Sequence, residues 1–127
     1  MRTVLDHCVI AVSDWGRSNA FYRDVLGAEV IQLDEWFGFY VFDEWQLNVH
    51  GPGFEGLNAR LPVQPGNSDL CFRWDGPIES AVEHLERLGV PIEAGPLSGE
   101  FPRGPVTSVY FRDPDGSLLE LISYLAG

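Results

Sequence analysis

The chain has 127 residues, 45% of them apolar and 21% charged, a globular composition long enough for one compact domain with a real core. Eight Lys and Arg against 19 Asp and Glu leave a net charge of −11. Nucleic-acid affinity rests on neutralising phosphates with Lys and Arg, so this balance argues against nucleic acid, and equally against an anionic membrane surface.

The first residues, MRTVLDHCVIAV, lack a long apolar stretch followed by a small-residue cleavage site, so no signal peptide is expected. The apolar runs are far shorter than a membrane span. Cys8 and Cys71 each sit inside a strand-like run, and the expectation is two buried free thiols in a reducing cytoplasm.

Residues 4–12, VLDHCVIAV, are β-branched and predict a strand that carries His7. Ser13 and Asp14 are N-cap candidates for a helix through Leu26, closed by Gly27. Strands are predicted over 28–33, 36–42 and 45–50. The last of these, WQLNVH, alternates: Trp45, Leu47 and Val49 point one way, and Gln46, Asn48 and His50 the other. The Gly- and Pro-rich stretch 51–67 reads as a linker. The order of elements then starts again. A strand is expected over 68–74, a helix from Pro77 ended by Gly89, and a short strand over 90–94. A Gly/Pro loop over 95–104 and strands over 105–112 and 117–124 complete the chain.

The two halves match by position as well as by type. Leu26-Gly27 and Leu88-Gly89 both end helices, and the spacing that superposes them carries Asp69 onto His7. Further on the spacing widens, so that Asp43 matches Asp113 and His50 matches Glu120. The prediction is an α+β domain over 1–127, built as two tandem β-α-β-β-β modules: module one 1–52, linker 53–67, module two 68–127.

Four positions stand out in this repeat: His7, His50, Asp69 and Glu120. Glu120 interrupts the apolar run Leu118, Leu119, Leu121, Ile122. A carboxylate there is either solvated or aimed at a cation or donors, because desolvating it alone is costly. Imidazole nitrogens and carboxylate oxygens are donors for a divalent ion, and four of them leave room for water and substrate. Each residue alone has a plainer reading: a strand histidine is more often satisfied or exposed than a ligand, and a strand glutamate is usually solvated. Their coincidence at repeat-equivalent positions is what singles them out. Cys71 shares the strand face of Asp69 and is expected as a small core residue. His84, among Glu83, Glu86 and Arg87, reads as surface. Arg103 lies in the 95–104 loop and is a candidate contact for an anionic group of a substrate.

The segments LDHCVIAV, FYRDVLGAEV, LNVH-G, PGNSDLCF, GVPIEAGP and GPVTSVYFRDPDGSLLELISY resemble the vicinal oxygen chelate superfamily, which includes glyoxalase I, extradiol dioxygenases, fosfomycin-resistance enzymes and bleomycin-resistance proteins. The closest likeness is to its small glyoxalase-domain-containing protein 5-like subfamily. The resemblance implies paired modules curling into a cup around a divalent metal ion, be it Mn, Co, Ni, Zn or Fe. The implied ligands are His7, His50, Asp69 and Glu120, with Glu120 also the catalytic base. Asp69 stands where the family at large usually has His. The resemblance further implies a small-molecule substrate chelated through adjacent oxygens, and a homodimer. Three functions compete: a glyoxalase-type lyase or isomerase, an extradiol dioxygenase with iron(II), and a drug-binding resistance protein of bleomycin type. The lyase or isomerase leads. An Asp at position 69 departs from small two-module dioxygenases, and resistance proteins generally lack the ligands kept here.

Overall fold

The computed structural model describes residues 1–125 and contains two compact units, Met1–Ser68 and Asp69–Gly127. Each is a four-stranded sheet with one helix on one face.

In the first unit the order along the chain is β1 (His7–Ala11), α1 (Trp15–Asp24), β2 (Glu29–Gln32), β3 (Phe37–Val41) and β4 (Gln46–His50). The sheet order is β1-β4-β3-β2, with β1 and β4 parallel and the remaining pairs antiparallel. Parallel neighbours need a long crossover, and α1 with β2 and β3 supplies it. Helix α1 starts because the Asp14 carboxylate accepts from the Arg17 N–H, satisfying one orphan donor of the first turn. It ends because Gly27 adopts φ +76°, so that Gly27 N–H reaches Arg23 O and Ala28 N–H reaches Tyr22 O. The core lies between helix and sheet. Tyr22 stacks on Tyr40 at 4.7 Å, with Ile10, Val12, Leu47 and Val49 buried around them.

The second unit repeats the plan with β5 (Asp69–Arg73), α2 (Ile78–Arg87), β6 (Ala94–Phe101), β7 (Gly104–Arg112) and β8 (Leu118–Ser123), in sheet order β5-β8-β7-β6. Ile78, Ala81 and Leu85 of α2 are buried, as are Val109, Phe111, Leu119 and Leu121. Gly89, at φ +70°, closes α2 as Gly27 closes α1.

The segment expected as a Gly/Pro loop over 95–104 is instead mostly strand β6, paired with β7 from Ala94 to Phe101. Its glycines and prolines misled the reading because β6 is an edge strand. An edge tolerates Pro, and the pairing with β7 shifts register between Ala94 and Leu97, around Pro96. The short strand expected over 90–94 is absent apart from Ala94, which opens β6.

The turn between β7 and β8 is built by Asp113. Its buried Oδ1 accepts from the N–H groups of Asp115 and Ser117, each at 2.9 Å. Residues 113–117 lie between the paired Arg112 and Leu118, whereas only 42–45 lie between the paired Val41 and Gln46. The second hairpin therefore has a longer turn than the first.

Candidate functional site

On each sheet, the face turned away from its helix carries the polar side chains. In the second unit β5 presents Asp69, Cys71 and Arg73 there, β8 presents Leu118, Glu120 and Ile122, and β7 presents Tyr110. Cys71 pairs with Glu120, and Glu120 pairs with Tyr110, so the three form one row across the strands. Asp69 is diagonal to Glu120 across β5 and β8, about 7–8 Å between Cα atoms for such neighbours.

In the first unit His7 pairs with Gln46, and His50 pairs with Ala11 on β1 and Phe37 on β3. Taking His7 as the counterpart of Asp69, the partner of Asp69 is Leu118, so Leu118 corresponds to Gln46. Glu120 then corresponds to Asn48, and His50 to Ile122. Two main-chain hydrogen bonds agree: Val12 N–H donates to His50 O at 2.9 Å, and Trp74 N–H donates to Ile122 O at 2.8 Å. The match of His50 with Glu120 is therefore corrected by two residues. Superposing Asp43 on Asp113 accounts for both: Asp43 is the second residue of its turn and Asp113 the first of its own, and the second turn then has one residue more.

The consequence is spatial. His7 and His50 point to one face but sit four positions apart along β1 and β4, roughly 13 Å at 3.3 Å per residue. Among the described residues, no three His, Cys, Asp or Glu side chains are gathered as a metal-holding group. Arg103 is exposed in the turn between β6 and β7, seven residues from Tyr110, roughly 20 Å of strand away from the Glu120 row. A contact from Arg103 to substrate beside Glu120 has no support in this geometry.

Glu120 is the chemically unusual member. Its Oε2 is buried and has no hydrogen-bond partner among the described residues. A buried carboxylate oxygen without donors is destabilising by about 1–3 kcal/mol or more. Such an atom fits a cation or a substrate proton. Cys71 and Tyr110 flank it. Burial, then the Glu120 charge and hydrogen bonding to Glu120, pushes the Cys71 thiol up to about 12, with Asp69 adding to it. Burial and Glu120 push Tyr110 upward for the same reasons. Both therefore keep their protons at neutral pH, so Glu120 stands beside S–H and O–H groups rather than beside anions. Cys71, expected in the core, is instead an exposed residue of this face with its thiol turned in against Glu120, because Leu70 and Phe72 take the helix side.

His7 is partly exposed, and its Nδ1 lies 2.9 Å from the Asp6 carboxylate. With the proton on Nδ1, Asp6 accepts it and Nε2 keeps its lone pair, as in a metal-ligating histidine oriented by a carboxylate. His50 is buried, and burial holds its pKa below the usual histidine value. Its Nδ1 is unpaired, and its ring stacks on Phe54 at 3.5 Å.

Sequence reasoning missed Asp6, Asn48 and Tyr110. Asp6 was signalled by adjacency to His7. Tyr110 and Asn48 could have been found by counting strand partners outward from the two hairpin turns.

Residues 4–121 match the family model of the Glyoxalase/Bleomycin resistance protein/Dioxygenase superfamily. The chain belongs to that superfamily. A glyoxalase domain-containing protein of Mycosarcoma maydis is 38% identical over 94% of this chain and 68% of its own length. A biphenyl-2,3-diol 1,2-dioxygenase of Rhodococcus globerulus is 31% identical over 92% of this chain, which spans 61% of that enzyme. The crystal structure of a Salmonella typhimurium virulence protein superposes with a TM-score of 0.88 at 31% identity, covering 98% of this chain and 99% of that one. That of a lactoylglutathione lyase from Agrobacterium tumefaciens gives 0.75 at 26% identity, covering 98% and 96%. The superfamily fold thus accounts for the α+β architecture and for the two-module repeat. Its members commonly use divalent metal ions. No helix among the described residues is long and apolar enough to cross a membrane.

Proposed function

We propose that this protein is a metal-dependent lyase or isomerase of glyoxalase type, acting on a small substrate that offers adjacent oxygens. The observation that carries the reading is the buried, partnerless Oε2 of Glu120. The donors we assign in the second unit are Asp69 and Glu120; in the first, taken by itself, His7 and Asn48 stand at the equivalent positions. Two carboxylates suit a hard or borderline divalent ion. A divalent ion bound by them would supply positive charge to an oxyanion developing on the substrate.

The chain's own part is proton transfer. Glu120 takes the proton from the hydroxyl-bearing carbon and returns it to the neighbouring carbonyl carbon, while the hydroxyl proton passes from the first oxygen to the second, so the isomerisation balances in atoms and charge. Tyr110 and Cys71 hold their protons and keep like charge away from Glu120. Asp6 fixes the tautomer of His7. The likeness to a lactoylglutathione lyase supports this class. The likeness to a diol dioxygenase makes ring cleavage the competing outcome. An iron(II) oxygenase site asks for two His and one carboxylate, whereas His50 lies away from His7 and two of the assigned donors are carboxylates. We also infer assembly as a homodimer: β6 leaves an open edge with Leu97 and Phe101 exposed, which invites pairing.

The test follows deuterium and oxygen together. Metal-loaded protein in D2O, given the hemithioacetal of methylglyoxal or a simple α-hydroxyketone, is expected to exchange the α-proton. Glu120→Gln is expected to lose that exchange by about 100-fold or more. No oxygen uptake is expected from iron-loaded protein with biphenyl-2,3-diol. Stoichiometric oxygen consumption would replace the reading with a dioxygenase.

A further inference from the structure

The first unit contains a pocket of about 510 Å³ between the end of β4 and the 51–65 segment. It is formed by residues of that unit alone. Its lining includes Pro52, Phe54, Pro62, Val63, Pro65 and Asn58, together with the buried His50. No Asp, Glu, Lys or Arg lines it, although the chain has 19 acidic residues. A charged ligand would meet no counter-charge there.

The walls are fixed. Gly51 leaves no space for a Cβ, which would meet the Trp15 indole and Glu35 O. Trp15 Nε1 donates to Glu35 O at 2.7 Å, and Gly51 N–H donates to Trp36 O at 2.7 Å. Phe54 stacks on the His50 ring, and Gly56 packs against the tip of the Phe54 ring, where an added Cβ would reach Phe54 Cζ at 2.5 Å. Three prolines present rigid apolar surfaces that lose little entropy on binding.

One polar group is set for a ligand. Asn58 Oδ1 accepts from the N–H of Ala59 at 3.0 Å and of Val63 at 3.4 Å. Both are donors, so the amide has only one orientation that suits them, and its Nδ2 hydrogens are left for another acceptor.

We propose that this pocket binds a planar, uncharged ring bearing a hydrogen-bond acceptor, with the prolines and Val63 against the ring and Asn58 Nδ2 donating to the acceptor. The volume lies in the range of small-molecule sites. The proposal does not rest on the metal reading. It also gives His50 a place in the lining of a binding pocket.

The full-length protein, titrated with naphthol and followed by amide chemical shifts, tests it. Saturable shifts are expected at Gly53, Phe54, Asn58 and Val63. Naphthoate, which is anionic, and decalol, which is not planar, are expected to bind about tenfold more weakly or worse. Asn58→Asp keeps the oxygen that holds Ala59 and Val63 but removes the Nδ2 donor. It is expected to weaken methoxynaphthalene, whose ether oxygen accepts but cannot donate, about tenfold, the equivalent of one neutral hydrogen bond. No saturable shift at those amides, equal affinity for naphthol, naphthoate and decalol, or unchanged methoxynaphthalene binding in Asn58→Asp would each overturn the proposal. None of these readouts depends on metal content or turnover, so this proposal and the assigned activity fail separately.

Discussion

Glu120→Gln is expected to lower divalent-ion affinity by more than about 100-fold while leaving the metal-free protein at least as stable as the parent. Losing an outer partner of a ligand costs about 10–100-fold, so losing a charged ligand itself costs more. The stability half is the more telling. Oε2 is buried without a partner, so an amide in its place is expected to cost the metal-free fold nothing. An amide of the same shape removes the charge and keeps the packing between Cys71 and Tyr110 on the neighbouring strands. Binding falls and stability holds or rises, which marks a site residue and separates it from a structural one. Calorimetric titration with manganese or zinc, beside urea melts in chelator, reads both quantities. Unchanged affinity would remove Glu120 from the site.

Tyr40→Ala is expected to cost about 3–5 kcal/mol, the range for removing a large buried aromatic ring. Tyr40 has no exposed surface and stacks on Tyr22 with the rings 20° apart. Its hydroxyl donates to Asn19 Oδ1 at 2.8 Å and lies 2.7 Å from Ser18 Oγ. A phenol has one proton, so Ser18 donates to Tyr40. The buried Ser18 hydroxyl loses its acceptor in both Tyr40→Ala and Tyr40→Phe. Tyr40→Phe is therefore expected to cost about 1–2 kcal/mol, the share of the hydroxyl alone. A domain of this size has about 5–15 kcal/mol in all, so the alanine variant is expected to unfold at markedly lower urea. A loss below about 1 kcal/mol for Tyr40→Ala would contradict this packing of α1 on β3.

The repeat was legible because its signals are local. Gly27 and Gly89 close helices, β-branched runs make strands, and the Asp113 turn introduces β8. What misread was non-local. Edge strand β6 looks like a loop because Gly and Pro are tolerated where one side of the strand is unpaired. The place of His50 depended on pairing register, and matching the two Asp residues hides both their different places in the hairpin turns and the extra residue of the second turn. Cys71 was assigned to the core from its residue type, although alternation with Leu70 and Phe72 already put it on the face of Asp69. Glu120 was legible from the start, because a carboxylate inside an apolar run needs a reason to be there.

The central claim of the proposal is that His7, at the position equivalent to Asp69, is a metal donor and that His50, two residues past the counterpart of Glu120, is not. Divalent-ion affinity of His7→Ala and His50→Ala, measured side by side by calorimetric titration, tests it most directly. The expected result is a loss of more than about tenfold in His7→Ala, with His50→Ala indistinguishable from the parent. Loss of binding in His50→Ala with His7→Ala unaffected would contradict the account.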